Sequence, residues 1–567
     1  MNDLPDTFEQ FAARLGSLEQ RVAALEHPQQ VSASSAVEQP ALFGARQSIE
    51  PAPFAQSGSL FSVVGRAMLG IAGAYVLRAV AETGALPKLA VAVVAIAYAV
   101  LWLIGAARVK AGEWLAATIY ACTSAMILGP MLWELTLRFN VLPPALTAVI
   151  LAGYVFTAAG LGWKRNLAPL FWISNITVAF AALALSVATH DLLPFIATLL
   201  VMALIAEIAA VLHHAASTRL LAAAAADLAA WALIFIYASA PETRTEYRVL
   251  GAGYLIAPGC LLFLLYLVSV AIRTIVQKRK ISVFETAQTL IAFLLAAASL
   301  LYFAPHAGAA VLATACLILS AATYSALFVF LGPSAEPRTL RVFSAWSLGL
   351  VLAGSWLLLP TLWLAAFLAA AALLATLLGT LFRSVALQFH GQVYLVAAVL
   401  AAGLPAYVFS VLAGALPAAP TLSVYLGTVC AILCYASLRP SQLEHSMQRL
   451  FPLLPAVLGV CALAALTVQA LAMLGLTGDA FHLAFFRTLT LSVVALGLAF
   501  AGSHWVRIEL TWLAYTTLAF VAAKLLFEDL RHGHLAFIAA SIFVFAVTLI
   551  AVPRLARWGE KLEGAGR

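Results

Sequence analysis

The residues of this chain with the means to do chemistry are ionisable side chains set inside long apolar runs. A charge at mid-bilayer costs about 2.5–3.5 kcal/mol on insertion scales, so each needs a partner or a purpose. In the run LFSVVGRAMLGIAGAYVLRAVAETGALP, Arg78 and Glu82 are one helical turn apart and can meet on one face. In TWLAYTTLAFVAAKLLFEDLRHGH, Lys524 and Glu528 repeat that spacing, with Asp529 beside them. Glu134 and Arg138 end another run, and Arg487 enters a third. As a group, Arg78, Glu82, Glu134, Arg487, Lys524, Glu528 and Asp529 are candidates to bind a polar substrate, or are snorkelling ends and structural ion pairs. Asp227 lies mid-run in an Ala-rich stretch and is the candidate proton-coupling carboxylate, or is simply neutral and hydrogen-bonded, while Glu207 and Glu285 sit in the cytoplasmic halves of theirs. Cys430 and Cys434, also one turn apart, have no His or carboxylate beside them and read as packing residues rather than metal ligands. His532 and His534 read as interfacial. No metal or cofactor is implied, and no phosphate-binding Gly loop, zinc-helix motif or nucleophile elbow occurs in a plausible context.

The elements that must position these residues follow from composition. The chain has 567 residues, 64% hydrophobic and 10% charged. Soluble domains are nearer 45–50% apolar and about 25% charged, so the solvent for this surface must be lipid. The expected fold is an all-α, polytopic transmembrane bundle of about eighteen helices, each an apolar run of roughly twenty residues, long enough for a ~30 Å hydrocarbon core. The runs include 60–83, 112–137, 217–240, 391–416, 420–438, 482–503 and 507–530. All six cysteines fall inside such runs, and no cleavable signal peptide is expected.

Charge gives an independent check. With a cytoplasmic N-terminus, nineteen loop and tail Lys and Arg fall on the cytoplasmic side and five (Lys88, Arg138, Arg244, Arg248 and Arg531) on the other. That is the direction of the positive-inside rule and predicts both termini in the cytoplasm. The net charge of +7 therefore marks membrane orientation, not nucleic-acid binding, because the basic residues stand singly in short loops. On this topology Arg78, Glu82, Lys524, Glu528 and Asp529 share the outer-leaflet depth, and the helices over 60–83 and 507–530 are expected to close one polar cavity there.

Ahead of the membrane domain (60–556), residues 1–28 form a cytoplasmic segment in which Phe8, Phe11, Leu15, Leu18, Val22 and Leu25 make a coiled-coil-like seam. It points to self-association or a partner helix through residues 8–25, or to an amphipathic helix lying on the membrane. Residues 29–59 read as a disordered linker and 557–567 as a cytoplasmic tail.

The stretch GRAMLGIAGAYVLRAVAETGALP resembles the first membrane helix of a bacterial predicted-membrane-protein family called domain of unknown function 2339. Arg78, Glu82, Gly84 and Pro87 occupy its basic, acidic, Gly and Pro places, although the family more often has Lys and an aromatic where this chain has Arg78 and Ala79. KLLFEDL is similar to the family's Lys followed by Asp-Leu, which places Lys524 and Asp529. The resemblance implies a bacterial inner-membrane protein surrounded by membrane lipid and implies no activity. Three function classes follow from the residues: a transporter or translocator of lipids or envelope precursors, a non-catalytic scaffold, and a membrane-embedded enzyme acting on lipid-linked precursors. The short extracytoplasmic loops weigh against the enzyme.

Overall fold

In lipid no water is available to satisfy backbone N–H and C=O groups, so an apolar chain of this kind must bond them within its own helices. The computed structural model describes residues 53–83, 87–109, 113–165, 167–212, 218–327, 336–417, 419–438, 451–505, 507–529 and 535–565. Among them are nineteen α-helices and no strand. In chain order they are α1 (Pro53–Thr83), α2 (Lys88–Arg108), α3 (Trp114–Trp133), α4 (Pro144–Arg165), α5 (Ala168–Ala188), α6 (Leu192–Val211), α7 (Arg219–Ala238), α8 (Ala252–Ala271), α9 (Val283–Phe303) and α10 (Pro305–Ser325). There follow α11 (Pro337–Leu358), α12 (Thr361–Leu381), α13 (Val385–Ala401), α14 (Leu404–Ala413), α15 (Leu422–Ser437), α16 (Leu453–Met473), α17 (Ala480–His504), α18 (Ile508–Lys524) and α19 (Leu535–Ala565).

Sixteen of these are long and apolar enough to cross a membrane, so the chain is a multi-pass membrane protein. The stretch expected to be one helix over 391–416 is instead a pair, α13 and α14, bent by 62°. The break falls at Gly403, whose φ of +69° is a left-handed conformation that glycine adopts without steric cost. The next helix, α15, has 16 residues. At 1.5 Å per residue it is about 24 Å long, short of a full hydrocarbon core.

Hydrogen bonds fix how these irregular pieces run. Call the end of the bundle where α1 finishes the upper end, and the end where α2 finishes the lower. Just past α14, Gly414 O accepts from Arg487 at the start of α17, and Pro417 O accepts from Gln469 at the finish of α16, both at the upper end. After α15, Leu438 O accepts from Arg507, and Tyr435 pairs with Glu509, both at the lower end where α18 begins. The bent pair therefore climbs the bundle and α15 descends it, and alternation holds through to α19.

There are two large apolar cores, one among α2–α9 and the other among α12–α18. Small residues set the spacing: a Cβ on Gly379 would stand 2.8 Å from the Gln388 backbone nitrogen, so α12 and α13 can approach this closely only with glycine there. Helix α1 is peripheral, with Met68, Leu69, Tyr75 and Val76 exposed to the surrounding lipid. It begins at Pro53, inside the stretch expected to be linker, and α19 continues through Ala565, over most of the expected tail. The seam over residues 8–25 lies outside the described residues.

Three spans end in a π turn that lies wholly within the described residues: Glu134–Arg138 after α3, Ile272–Val276 after α8 and Leu525–Asp529 after α18. A π turn adds one residue to a helical turn and so shifts every later side chain around the axis. All three contain ionisable residues.

Candidate functional site

The candidate residues fall into charge-neutral quartets, each including a residue from one of these π turns. At the upper end, α1 meets the finish of α3. Arg78 Nη2 lies 2.9 Å from Glu134 Oε1 and its Nε 3.4 Å from Glu82 Oε1, while Arg138 Nη1 lies 2.9 Å from that same Glu82 oxygen. Two cations and two anions cancel. The side chains of Arg78, Glu82 and Arg138 remain 38%, 42% and 55% exposed at the surface of the bundle.

The second quartet, also at the upper end, is buried. The π turn after α18 carries Asp529, five residues from Lys524, to the place a residue four away would hold on a regular helix, and it is Asp529 that makes the shortest contact with the Lys524 ammonium. Glu528 stands 3.5 Å from Lys524 and turns to Arg487 on α17 at 2.7 Å. Thr488 fills the space between: its hydroxyl accepts from Lys524 Nζ at 2.8 Å and donates to Asp529 Oδ2 at 2.8 Å. The Lys524 ammonium also donates to Ala484 O. Arg487 Nη2 donates to Gly414 O at 2.6 Å and Ser410 O at 3.4 Å, which ties the end of α14 to the cluster. Arg487, Lys524, Asp529 and Thr488 are all buried.

Burial in lipid explains this degree of mutual bonding. An isolated buried ion carries a desolvation penalty of several kcal/mol, which only close pairing and further hydrogen bonds offset. The sequence pairs Lys524 with Glu528 by regular helical spacing; the π turn makes Asp529 the closer partner. The ion pairs also divide the upper-end candidates in two. Arg78, Glu82 and Glu134 form one set, and Arg487, Lys524, Glu528 and Asp529 another, with no ion pair joining them among the described residues. The upper-end candidates are thus bonded in two clusters.

A third quartet lies at the lower end, and sequence reading missed most of it. Arg219, at the first position of α7, donates from Nε and Nη2 to the two oxygens of Glu207 at 2.8 Å each, a bidentate pair. Arg219 Nη1 stands 3.4 Å from Glu285, which also contacts Arg273 in the π turn after α8. Ser269 donates to Glu207. Ser282 and Glu285 form a capping box at the start of α9, so Glu285 both closes that helix end and joins the quartet. Arg219 and Arg273 read as loop cations in the sequence because they fall at run ends. The signal that would have placed them is the buried carboxylate facing each across a short connection, Glu207 before Arg219 and Glu285 after Arg273.

Asp227 differs from all of these. It sits two helical turns deeper on α7 than Arg219, and both its oxygens accept from Gln288 Nε2, at 2.8 and 2.9 Å. Among the described residues, every other carboxylate inside a span lies within 4 Å of a cation; Asp227 is held by an amide alone.

Three further features complete the inventory. His390 on α13 is buried between hydroxyls, with Tyr324 at 2.7 Å from Nδ1 and Ser344 at 2.8 Å from Nε2. Cys430 and Cys434 lie 3.9 Å apart in the second core, and no group of three or more His, Cys, Asp and Glu among the described residues has metal-binding geometry. His532 and His534 are outside the described residues.

The larger grooves of the bundle are lined mostly by apolar side chains, although the wall of one of about 710 Å³ includes Tyr435 and Arg507. One of about 530 Å³ lies between α6 and α8, lined by residues such as Leu204, Val211, Leu264 and Val268, with Glu207 and Ser269 at its lower end. Another of about 560 Å³ lies beneath α14. No protein family, curated protein or solved structure matches the chain.

Proposed function

We propose that this chain is a proton-linked translocator of lipid-like molecules in a bacterial inner membrane, with Asp227 as the group that binds and releases the proton. The observation that carries the proposal is the lone carboxylate. A mid-span Asp without a cation is stable in lipid mainly as the neutral acid, and its ionisation is the step a transport cycle can use. The polar line from Arg273 through Glu285, Arg219 and Glu207 covers the depth between the lower end and the Asp227–Gln288 pair and supports a proton route from that side. Its cargo is taken to be an amphiphile, a lipid or lipid-linked envelope precursor, because the grooves are lined with hydrocarbon and the three quartets leave no spare charge for a small ion. That same neutrality favours a second reading, a non-catalytic scaffold in which the quartets only fix helix register.

The deciding measurement uses purified protein in proteoliposomes with a fluorescent phospholipid and an imposed pH gradient. The expected outcome is protein-dependent translocation that the gradient accelerates, with Asp227→Asn removing the accelerated part. If no translocation above empty vesicles occurs at any gradient, the translocator reading fails and the scaffold stands.

On this reading the lower end faces the cytoplasm, as the distribution of Lys and Arg supports, and the resemblance to domain of unknown function 2339 is kept as a proposal of the same standing. Reporter fusions after Gln277 and Glu444 are expected to report cytoplasm, and fusions after Thr243 and Gly478 the outside. Thr243 and Gln277 reporting the same side would overturn the orientation.

A further inference from the structure

The bend between α13 and α14 does more than shorten a span. By turning α14 aside at 62°, it leaves a cavity of about 560 Å³ between that half-helix and α16, α17 and α18. Its wall includes Leu404, Val408 and Leu412 from α14, Ala464 from α16, Leu491 from α17 and Thr517 from α18. The polar side chains on its wall are few: the Thr516 and Thr517 hydroxyls both donate to Leu513 O, at 2.9 and 2.7 Å, and the other is the Cys461 thiol. A polar ligand would find two hydroxyls already committed as donors and one weakly polar thiol, and would lose its own hydration.

The cavity is continuous with the bilayer-facing surface of the bundle. Phe409 and Phe520, which line it, are exposed apolar side chains that meet the surrounding hydrocarbon. Its deep wall is different, since Leu404, Leu412, Ala464 and Leu491 are buried although they face the cavity. An empty space of this size lined by aliphatic side chains forfeits the dispersion contacts of its lining, and the molecule present at its mouth is the acyl chain of a membrane phospholipid. Beyond the far end of the cavity, the bonds of Arg487 to Ser410 O and Gly414 O tie the finish of α14 to α17.

We infer that the space beneath α14 is a binding site for one acyl chain of a membrane phospholipid, entered sideways from the bilayer between Phe409 and Phe520. The inference stands apart from transport. An occupied site in a protein that moves no lipid would leave it intact and overturn only the translocator reading.

The test uses the full chain in proteoliposomes containing a phosphatidylcholine with a photoactivatable diazirine in its acyl chain, with crosslinks mapped by mass spectrometry. Annular lipid reaches only outward residues such as Phe409 and Trp512; a chain in the site also reaches the buried Leu412 and Leu491. The expected result is crosslinking at both buried positions, reduced at least fivefold by Ala464→Trp, which fills the cavity, while Phe409 stays labelled. Should Ala464→Trp fail to fold, Ala464→Leu is expected to give a smaller reduction at the same two positions. Crosslinks confined to outward residues would overturn the site, as would labelling of Leu491 that neither substitution lowers.

Discussion

The two upper-end quartets share composition and depth, and they differ in what surrounds them. In the first, α1 is a peripheral helix packed against the finish of α3, and three of its four side chains are more than a third exposed. In the second, α17 and α18 close on each other around Thr488, and Arg487, Lys524 and Asp529 are almost wholly removed from solvent. One sequence signal, opposite charges about a turn apart near a span end, thus gives a screened surface pair in one place and a largely buried, closely bonded lock in the other. The neighbouring helix decides which. The energetic consequences should differ accordingly, and substitution can measure the difference.

The largest effect is expected at Asp529. Asp529→Asn leaves the Lys524 ammonium buried with only Glu528, 3.5 Å away and partly solvated, to offset it. Removing one partner of a buried pair typically costs about 3–5 kcal/mol. Thermal unfolding in detergent or nanodiscs should show a loss of that order, and the double change Lys524→Met with Asp529→Leu should recover much of it. If Asp529→Asn were no more harmful than a substitution in the exposed quartet, the contrast between lock and surface pair would be wrong.

Arg487→Gln comes next. It breaks the bond to Glu528 and frees the carbonyls at the end of α14, but Glu528 is 25% exposed and can recover hydration. A charged hydrogen bond contributes about 1.5–3 kcal/mol, and the loss should fall in that range, below that of Asp529→Asn. Accelerated hydrogen exchange at the backbone of α14, with α12 unchanged, would tie the effect to the half-helix.

How much of this could be read beforehand follows from the physics of each feature. Apolar runs of membrane length and the bias of Lys and Arg carry helix number and alternation well, because lipid punishes every exception. The breaks escape that signal. Nothing in the hydropathy of residues 385–413 distinguishes a straight helix from two bent at Gly403, since the run is apolar on both sides of the break. The π turns escape it too: one added residue leaves hydropathy unchanged yet exchanges Glu528 for Asp529 as the nearest partner of Lys524. Depth along a span is legible for Arg78 and Lys524, but azimuth around the bundle is not, so matched depth alone does not say which side chains bond to one another. Arg219 shows the converse case. A cation at a run end looks like loop charge, and only the facing Glu207 and Glu285 reveal that it is buried.

The smallest effect is expected in the exposed quartet, and it is the sharpest test of the comparison. Glu82 accepts from both Arg78 and Arg138, two ion pairs against the one that Asp529 makes with Lys524. A ledger of ion pairs alone would rank Glu82→Gln as the more damaging change. Solvent screening says otherwise: exposed pairs contribute about 0.2–1 kcal/mol, and Arg78 retains Glu134 at 2.9 Å after the change. Glu82→Gln is therefore expected to shift the unfolding midpoint by no more than a degree or two. That shift should shrink further between low and high salt, because a Debye length of about 10 Å at 0.1 M screens exposed charges and leaves buried ones nearly untouched. A double-mutant cycle of Glu82→Gln with Arg138→Gln, run at two salt concentrations, reads the coupling directly. A coupling above about 2 kcal/mol that ignores salt would mean the α1–α3 quartet is shielded from water in the membrane, and the two clusters would then be one kind of lock.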